Sequence, residues 1–142
     1  MSTETNKATV RRFLDQVLNE QRHDLAEEFL AETVEFHGPG QSFIGLSEVT
    51  AWFAMLASAF PDWQATIIDM VAEGDKVVVR LNNKGTHQGE IPGIPPATDK
   101  TINQESIVMY HLTNGKIDEG RNFIDNLTFM QQLGVIPAPQ AD

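Results

Sequence analysis

The 142-residue sequence contains no cysteine, which excludes a disulfide framework, a thiolate metal site and a cysteine nucleophile. It also lacks any apolar run near the roughly 20 residues that a membrane-spanning helix needs. Its first residues, MSTETNKATVRRF, have no apolar signal-peptide core. Together these absences predict a soluble, cytoplasmic protein.

Basic residues are scarce: 10 Lys and Arg stand against 20 Asp and Glu, and the formal net charge is −10. Binding to a phosphate backbone needs clustered Lys and Arg, and Arg11-Arg12 is the only adjacent basic pair. We therefore expect no nucleic-acid partner and no membrane partner.

Several motifs that carry chemistry are also missing. The sequence has no G-x-S-x-G nucleophile elbow, no G-x-G-x-x-G and no P-loop. Its four histidines show neither H-x-x-x-H nor H-E-x-x-H spacing. Because a protein metal site needs three or more converging ligands, we expect no metal.

The hydrophobic period changes along the chain. Helical spacing predicts a helix over residues 6–20, a short helix ending at Leu30, and a third helix within residues 45–60 with Ser47 as its N-cap. Strand-like alternation predicts a short strand at 33–37, two strands joined near Gly74, and a hairpin over 100–125 that turns at Asn114-Gly115. A short helix follows the hairpin. Helices first and antiparallel strands later predict an α+β fold.

Seven strings occur in a characteristic order: FHGPG, FIG, AFPDW, AEGDKV, GTHQGEIPGIPP, NGKIDE and DNLTFMQQLG. In this order, from about residue 8 to residue 135, the chain resembles the SnoaL-like polyketide cyclases, or ester cyclases, of the cystatin-like fold superfamily that includes nuclear transport factor two. The resemblance implies a single domain over residues 1–142, with a peripheral tail at 134–142. It also implies a cone-shaped α+β barrel, in which a curved antiparallel sheet carries three helices on its concave side and encloses a pocket.

The resemblance also implies a cofactor-free enzyme that acts on a small hydrophobic, polycyclic substrate. Because a bare mixed sheet face needs cover, we also expect a homodimer or homotetramer. In this family an aspartate near the end of the last strand removes a proton beside a carbonyl, and the enolate then closes a ring. The matching position here is Asp125, and His111 on the preceding strand would be the second polar group. Many relatives carry His-Trp where this chain has Gly120-Arg121. Arg121 would make the site more polar and lower the pKa of Asp125 if the two are close.

The hairpin register tests these assignments without the family. A two-residue loop pairs Thr113 with Lys116 and Gln104 with Asp125, which puts Asp125, Gln104, Tyr110 and Arg121 on one mixed face. Such a face is typical of a cavity wall. His111 then falls on the opposite face, unless a β-bulge reverses the relation. The alternative for Asp125 is a strand-end carboxylate that caps the final helix.

Other polar and aromatic side chains are candidates for substrate contact. His37 and His87 are predicted at the rim of the pocket, or else as ordinary loop and edge histidines. The aromatic candidates for its wall are Phe13, Trp52, Phe53, Trp63 and Tyr110, with core packing as the alternative for each. The PGIPP segment is either a lid or a rigid surface connection.

Three functions remain open from the sequence. The first is a cyclase, lyase or isomerase that works through an enolate. The second is a hydroxylase-like or epoxide-hydrolase-like enzyme on the same fold. The third is a binding protein without catalysis, since a fold does not fix a function.

Overall fold

The structure, a computed structural model, describes residues 2–92, 94 and 96–137. In chain order its elements are α1 (Thr3–Phe13), a π-helical turn (Leu14–Asn19), a 3₁₀ turn (His23–Leu25), α2 (Ala26–Phe29), β1 (Leu30–Gly38), β2 (Gln41–Ile44), α3 (Leu46–Ala59), β3 (Gln64–Glu73), β4 (Lys76–Thr86), β5 (Thr101–Thr113), β6 (Lys116–Ile124) and α4 (Asn126–Gln132). The strands form one curved six-stranded sheet in the order β2-β1-β6-β5-β4-β3. The predicted α+β class is therefore confirmed.

The sheet differs from the prediction in two ways. It is not closed into a barrel, because β2 and β3 form free edges. It is also not wholly antiparallel, since β1 pairs in parallel with β6, with Phe36 opposite Gly120. No hairpin joins these two strands, and sequence neighbours alone could not predict their direction.

The N-terminal helix begins at a side-chain cap and ends differently from the prediction. The Ser2 hydroxyl accepts a hydrogen bond from the Thr5 backbone N–H at 3.0 Å. The α-helix stops at Phe13 and continues as the π-helical turn rather than as an α-helix to residue 20. At the end of that turn, the Asn19 amide bonds the backbone N–H and carbonyl of Ala65 at 2.8 and 2.9 Å. The turn therefore fixes the helical layer to β3.

Two local features in the first half of the chain were not predicted. Gly40, at φ +70°, allows the tight turn between β1 and the additional strand β2. The third helix begins at Leu46 with Gly45 at its cap position, so Ser47 is not the N-cap. Instead the Glu48 carboxylate accepts the Ile44 backbone N–H at 3.2 Å.

The second hairpin turns at Asn114-Gly115, as predicted, with φ of 52° and 80°. Both angles are positive, as a type I′ turn requires. Next to the turn, however, His111 faces Glu119 while Leu112 faces Ile117, so Asp118 is an extra residue. This bulge shifts every later pair by one residue, and the predicted pairing of Gln104 with Asp125 is wrong.

The core lies between the helices and the inner face of the sheet. At its centre the ring of Phe13 is fully buried and meets four aromatic rings, those of Phe29, Phe36, Phe53 and Tyr110, at centroid distances of 5.8 to 6.3 Å. A smaller cluster of Ala59, Phe60, Ile102 and Leu133 closes one end of the fold. In the part of the chain that the structure describes, no helix has the length and apolar character to cross a bilayer.

Candidate functional site

A cavity of about 360 Å³ lies between the helices and the inner face of the sheet. Most of its lining is apolar, and the larger side chains include Leu14, Leu18, Phe36, Phe43, Trp52, Phe53, Leu56, Phe60, Trp63, Leu81, Val108, Ile124, Phe129 and Met130. None of the described lining residues is Asp, Glu, Lys or Arg. The volume falls within the range of small-molecule sites.

Uncharged polar side chains form one wall of the cavity, on three neighbouring strands. Asn83 on β4 pairs with Gln104 on β5, and its Nδ2 donates to the Ser106 hydroxyl at 2.9 Å. Asn122 on β6 lies opposite Val108. We call Asn83, Gln104, Ser106 and Asn122 the amide wall.

Two oxygens of the amide wall lack partners. Gln104 Oε1 and Asn122 Oδ1 are buried, and neither accepts a hydrogen bond from any described residue. The indole Nε1 of Trp63, which also lines the cavity, has no acceptor among these residues either. Buried polar groups of folded proteins are nearly always paired. Three such groups therefore lie around one cavity, where a bound molecule or water can complete their hydrogen bonds.

Tyr110 lines the cavity beside the amide wall, as the sequence predicted, and is only 2% exposed. Burial raises the pKa of its phenol far above the ordinary value, because the phenolate would lose its solvation. Tyr110 therefore remains a neutral hydrogen-bond donor at any physiological pH.

Asp125 lies outside the cavity lining, because the Asp118 bulge turns it to the other face of the sheet. Its carboxylate accepts the Thr128 hydroxyl at 2.6 Å and the Thr128 backbone N–H at 3.0 Å. Both hydrogen bonds lower its pKa, whereas a carboxyl in an apolar pocket would have a raised pKa. Asp125 is thus the N-cap of α4.

His111 and Arg121 also lie on the outer face. His111 bridges two carboxylates, with Nδ1 at 2.6 Å from Asp118 and Nε2 at 2.9 Å from Asp75. Its pKa is raised, mainly by the hydrogen bond to Asp118. Arg121 donates to Glu119 at 2.8 Å, and its guanidinium is not a cause of the lowered pKa of Asp125.

The other two predicted histidines differ in position. His37 borders the cavity, and its ring contacts the Ser42 hydroxyl at 2.7 Å and the Glu35 carboxylate at 3.3 Å. His87 is fully buried beside Phe60 and is not among the described lining residues.

His87 anchors the loop that follows β4. Its Nδ1 accepts the Thr98 backbone N–H at 3.2 Å, and its backbone bonds Asp99 and Lys100. From this loop Ile91, Pro92 and Ile94 line the cavity. The PGIPP lid or connection falls here, and residues 93 and 95 lie outside the described residues.

Among the predicted aromatic residues, Trp52, Phe53, Trp63 and Tyr110 line the cavity, whereas Phe13 is in the core behind it. Gln104 lines it as predicted. Alternation along β4 and β5 could have identified Asn83 and Ser106 as inward-facing. Asn122 was hidden, because its face depends on the bulge.

The described residues hold no group of three or more His, Asp or Glu side chains that is arranged for a metal ion. The structure combines an open curved sheet, helices across its concave face and an apolar cavity with an uncharged polar wall. This combination is typical of α+β proteins that hold a small organic molecule between sheet and helices.

The chain belongs to the SnoaL-like polyketide cyclase family, whose model matches residues 8–133. No curated protein matches the sequence.

Solved structures are similar over nearly the whole chain. A candidate SnoaL-like polyketide cyclase from Jannaschia sp. CCS1 has 25% identity and a TM-score of 0.86, covering 95% of each chain. TsrD from Streptomyces laurentii has 25% identity and a TM-score of 0.85, covering 96% of this chain and 99% of its own. IdmH, a candidate polyketide cyclase from Streptomyces antibioticus, has 26% identity and a TM-score of 0.77, covering 91% and 98%. The expected family is therefore confirmed, and with it the kinship to polyketide cyclases.

Proposed function

We propose that the protein binds a small, mainly apolar, polyketide-like molecule in its cavity and promotes an intramolecular aldol-type ring closure. The observation that supports this most is the amide wall, a row of neutral hydrogen-bonding groups on one side of an apolar cavity. A few placed polar groups in an apolar site fix the orientation of a ligand. Kinship to polyketide cyclases adds the reaction class.

In this reaction the enol carbon of the substrate forms a bond to a carbonyl carbon of the same molecule. The enol loses its hydroxyl proton and the former carbonyl oxygen gains one, so the product is an isomer and no other reactant is consumed. The cavity contributes by holding the two carbons in reach, which makes ring closure far more frequent. Ser106 and Tyr110 supply O–H donors to the oxygen that becomes a hydroxyl.

Catalysis by Asp125 is the other form of this proposal. It would require the carboxylate to leave Thr128 and reach the inner face from the end of β6. We favour the form without Asp125, because its carboxylate already accepts two hydrogen bonds as a helix cap. An epoxide-hydrolase-like site is not favoured either, since Arg121 is paired with Glu119 on the outer face.

Binding without turnover is the second candidate function. The absence of Asp, Glu, Lys and Arg from the described lining favours it, because it leaves His37, at the border of the cavity, as the one conventional general acid or base among those residues. The two candidates share the same ligand site and differ in whether the ligand leaves chemically changed.

The test is ring closure of an anthraquinone β-keto ester that carries an ortho aldehyde, followed by absorbance and mass. Wild type, Asn122→Leu and Asp125→Asn are compared. We expect closure by wild type and Asp125→Asn, and at least about tenfold slower closure by Asn122→Leu, because one polar group of the wall is lost. Loss in Asp125→Asn alone would establish the aspartate mechanism instead. Binding of the ester without closure by any form would favour the binding protein.

A further inference from the structure

The described lining of the cavity contains no Asp, Glu, Lys or Arg, and its titratable side chains are the phenol of Tyr110 and, at the border, His37, whose ring contacts the Glu35 carboxylate at 3.3 Å. Bringing an anion into a site without a cation costs its solvation energy and returns no ion pair. Two charged side chains of β6 and its end lie outside the described lining, where Arg121 pairs with Glu119 and the Asp125 carboxylate caps α4. No arginine or lysine of the described lining can therefore receive a carboxylate or a phenolate.

Two of the three unpaired atoms around the cavity are acceptors, and the third, the indole Nε1 of Trp63, is a donor that suits a carbonyl oxygen of the ligand. Gln104 Oε1 and Asn122 Oδ1 are amide oxygens, which only accept hydrogen bonds. Their partner must carry an O–H or N–H, whereas an enolate, phenolate or carboxylate oxygen would repel them.

We propose that the cavity holds its ligand as a neutral enol or phenol, whose hydroxyl donates to the amide oxygen of Gln104 or Asn122, and that it discriminates against ionised forms. This inference rests on the proposed function. It adds that the reacting species in this chain is the enol, not a free enolate. The raised pKa of Tyr110 shows the same preference, since the same surroundings already hold one phenol in its protonated form.

Three ligands with the same ring system test the inference: anthraquinone, 2-hydroxyanthraquinone and anthraquinone-2-carboxylate. Both tryptophans of the chain, Trp52 and Trp63, line the cavity, so quenching of their fluorescence reports binding there. We expect the hydroxyl compound, below its pKa, to bind tightest. The carboxylate should bind at least about tenfold more weakly than the hydroxyl compound, the effect of one pKa unit or more.

A pH titration of bound 2-hydroxyanthraquinone, read from the visible absorbance of its anion, gives an independent measure on wild type alone. With protein in excess, the phenol should ionise at least about one pH unit higher than in free solution. A pKa that is unchanged or lower on binding would overturn the inference. Equal or tighter binding of the carboxylate would also overturn it, yet would leave the proposed function standing.

Variants test whether the preference for the hydroxyl compound comes from the amide wall. Gln104→Met and Asn122→Leu should bind anthraquinone as well as wild type does, but should lose the extra affinity for the hydroxyl compound. Asn82→Leu is the matched control, because Asn82 precedes Asn83 and bonds Asn103 on the outer face. If the control loses the hydroxyl preference as well, the wall is not its source. If none of the three ligands quenches the tryptophans, both the proposed function and this inference fail.

Discussion

Alternate residues of β5 face two different environments. The inward series contains Gln104, Ser106, Val108 and Tyr110, all buried and none ionised. The outward series contains charged groups and their partners, such as Glu105, which binds Arg80 at 2.8 Å. Period-two alternation thus separates a neutral cavity wall from a charged surface within a single strand.

The comparison explains why three of the ionisable residues that the sequence suggested for the site have structural roles instead. His111, Arg121 and Asp125 all lie on the outer face or at its end, where each has a partner that fixes a bulge, a strand or a helix. The polar side chains of β4, β5 and β6 that line the cavity are amides and hydroxyls, and His37 stands at its border. These three ionisable residues and the polar wall of the cavity therefore occupy opposite sides of the sheet.

The largest contrast between the two sides is expected from aromatic truncation. Phe13→Ala should destabilise the protein by about 3–5 kcal/mol, because it leaves a cavity at the centre of the aromatic core. Phe123→Ala, on the outer face at 64% exposure, should change stability by no more than about 0.5 kcal/mol. Urea denaturation measures both, and similar losses would contradict the distinction.

The next largest difference between the two faces of the sheet is expected when a carboxylate is introduced on each of them. Ser106→Asp places an unpaired charge in the neutral wall and should cost on the order of 3 kcal/mol at neutral pH. Burial would raise the pKa of the new carboxyl above its unfolded value, so the deficit should grow as pH rises and shrink in acid. Ile107→Asp, the neighbouring outward residue, should show little change. Equal effects would mean that the wall is open to water.

His111, on the outer face, should make the stability of the protein depend on pH. Its folded-state pKa is raised, so the stabilisation by Asp118 and Asp75 is fully present below the ordinary histidine pKa. It is lost as pH rises through the folded-state value. The difference in urea midpoint between wild type and His111→Gln should therefore be larger at about pH 6 than at about pH 9. His23→Gln serves as control, and an identical profile for both variants would exclude the bridge as the cause.

The smallest effect is expected at the α4 cap. Asp125→Ala should lower the melting temperature slightly, whereas Asp125→Asn should not, because Asn caps helices as well as Asp does. The pKa of Asp125 is lowered in the folded state, so its contribution is present above the ordinary Asp pKa and disappears as pH falls through the folded value. Equal melting temperatures for the Ala variant and wild type at neutral pH would remove the cap as a stabilising contact.

Local sequence patterns predicted most of the elements. Asn114-Gly115 is sufficient for a type I′ turn, because both positions need positive φ and this pair tolerates it. The parallel pairing of β1 with β6 was beyond such reasoning, since it depends on how distant segments meet. Strand β2 was missed because four residues next to Gly40 show no clear period.

The site was predicted only in part, because local alternation gives the inward face of β5 but not that of β6. Gln104 and Tyr110 lie on the cavity face because β5 alternates regularly, and its inward face could be worked out by counting. Asn122 could not be found, since one extra residue, Asp118, turns every later side chain of β6 over. That bulge is held by hydrogen bonds from Thr113 and His111 to Asp118, contacts that exist only once the sheet has formed.

The parallel pairing of β1 with β6 has a kinetic consequence. Phe36 and Gly120, on which its ring packs, are far apart in the sequence. The β6 residues Gly120, Asn122 and Ile124 belong to the cavity lining, so the cavity is incomplete until this pairing has formed. Contacts between such distant residues slow folding, because the loop between them must close first. The complete cavity should therefore form only after β1 and β6 have met.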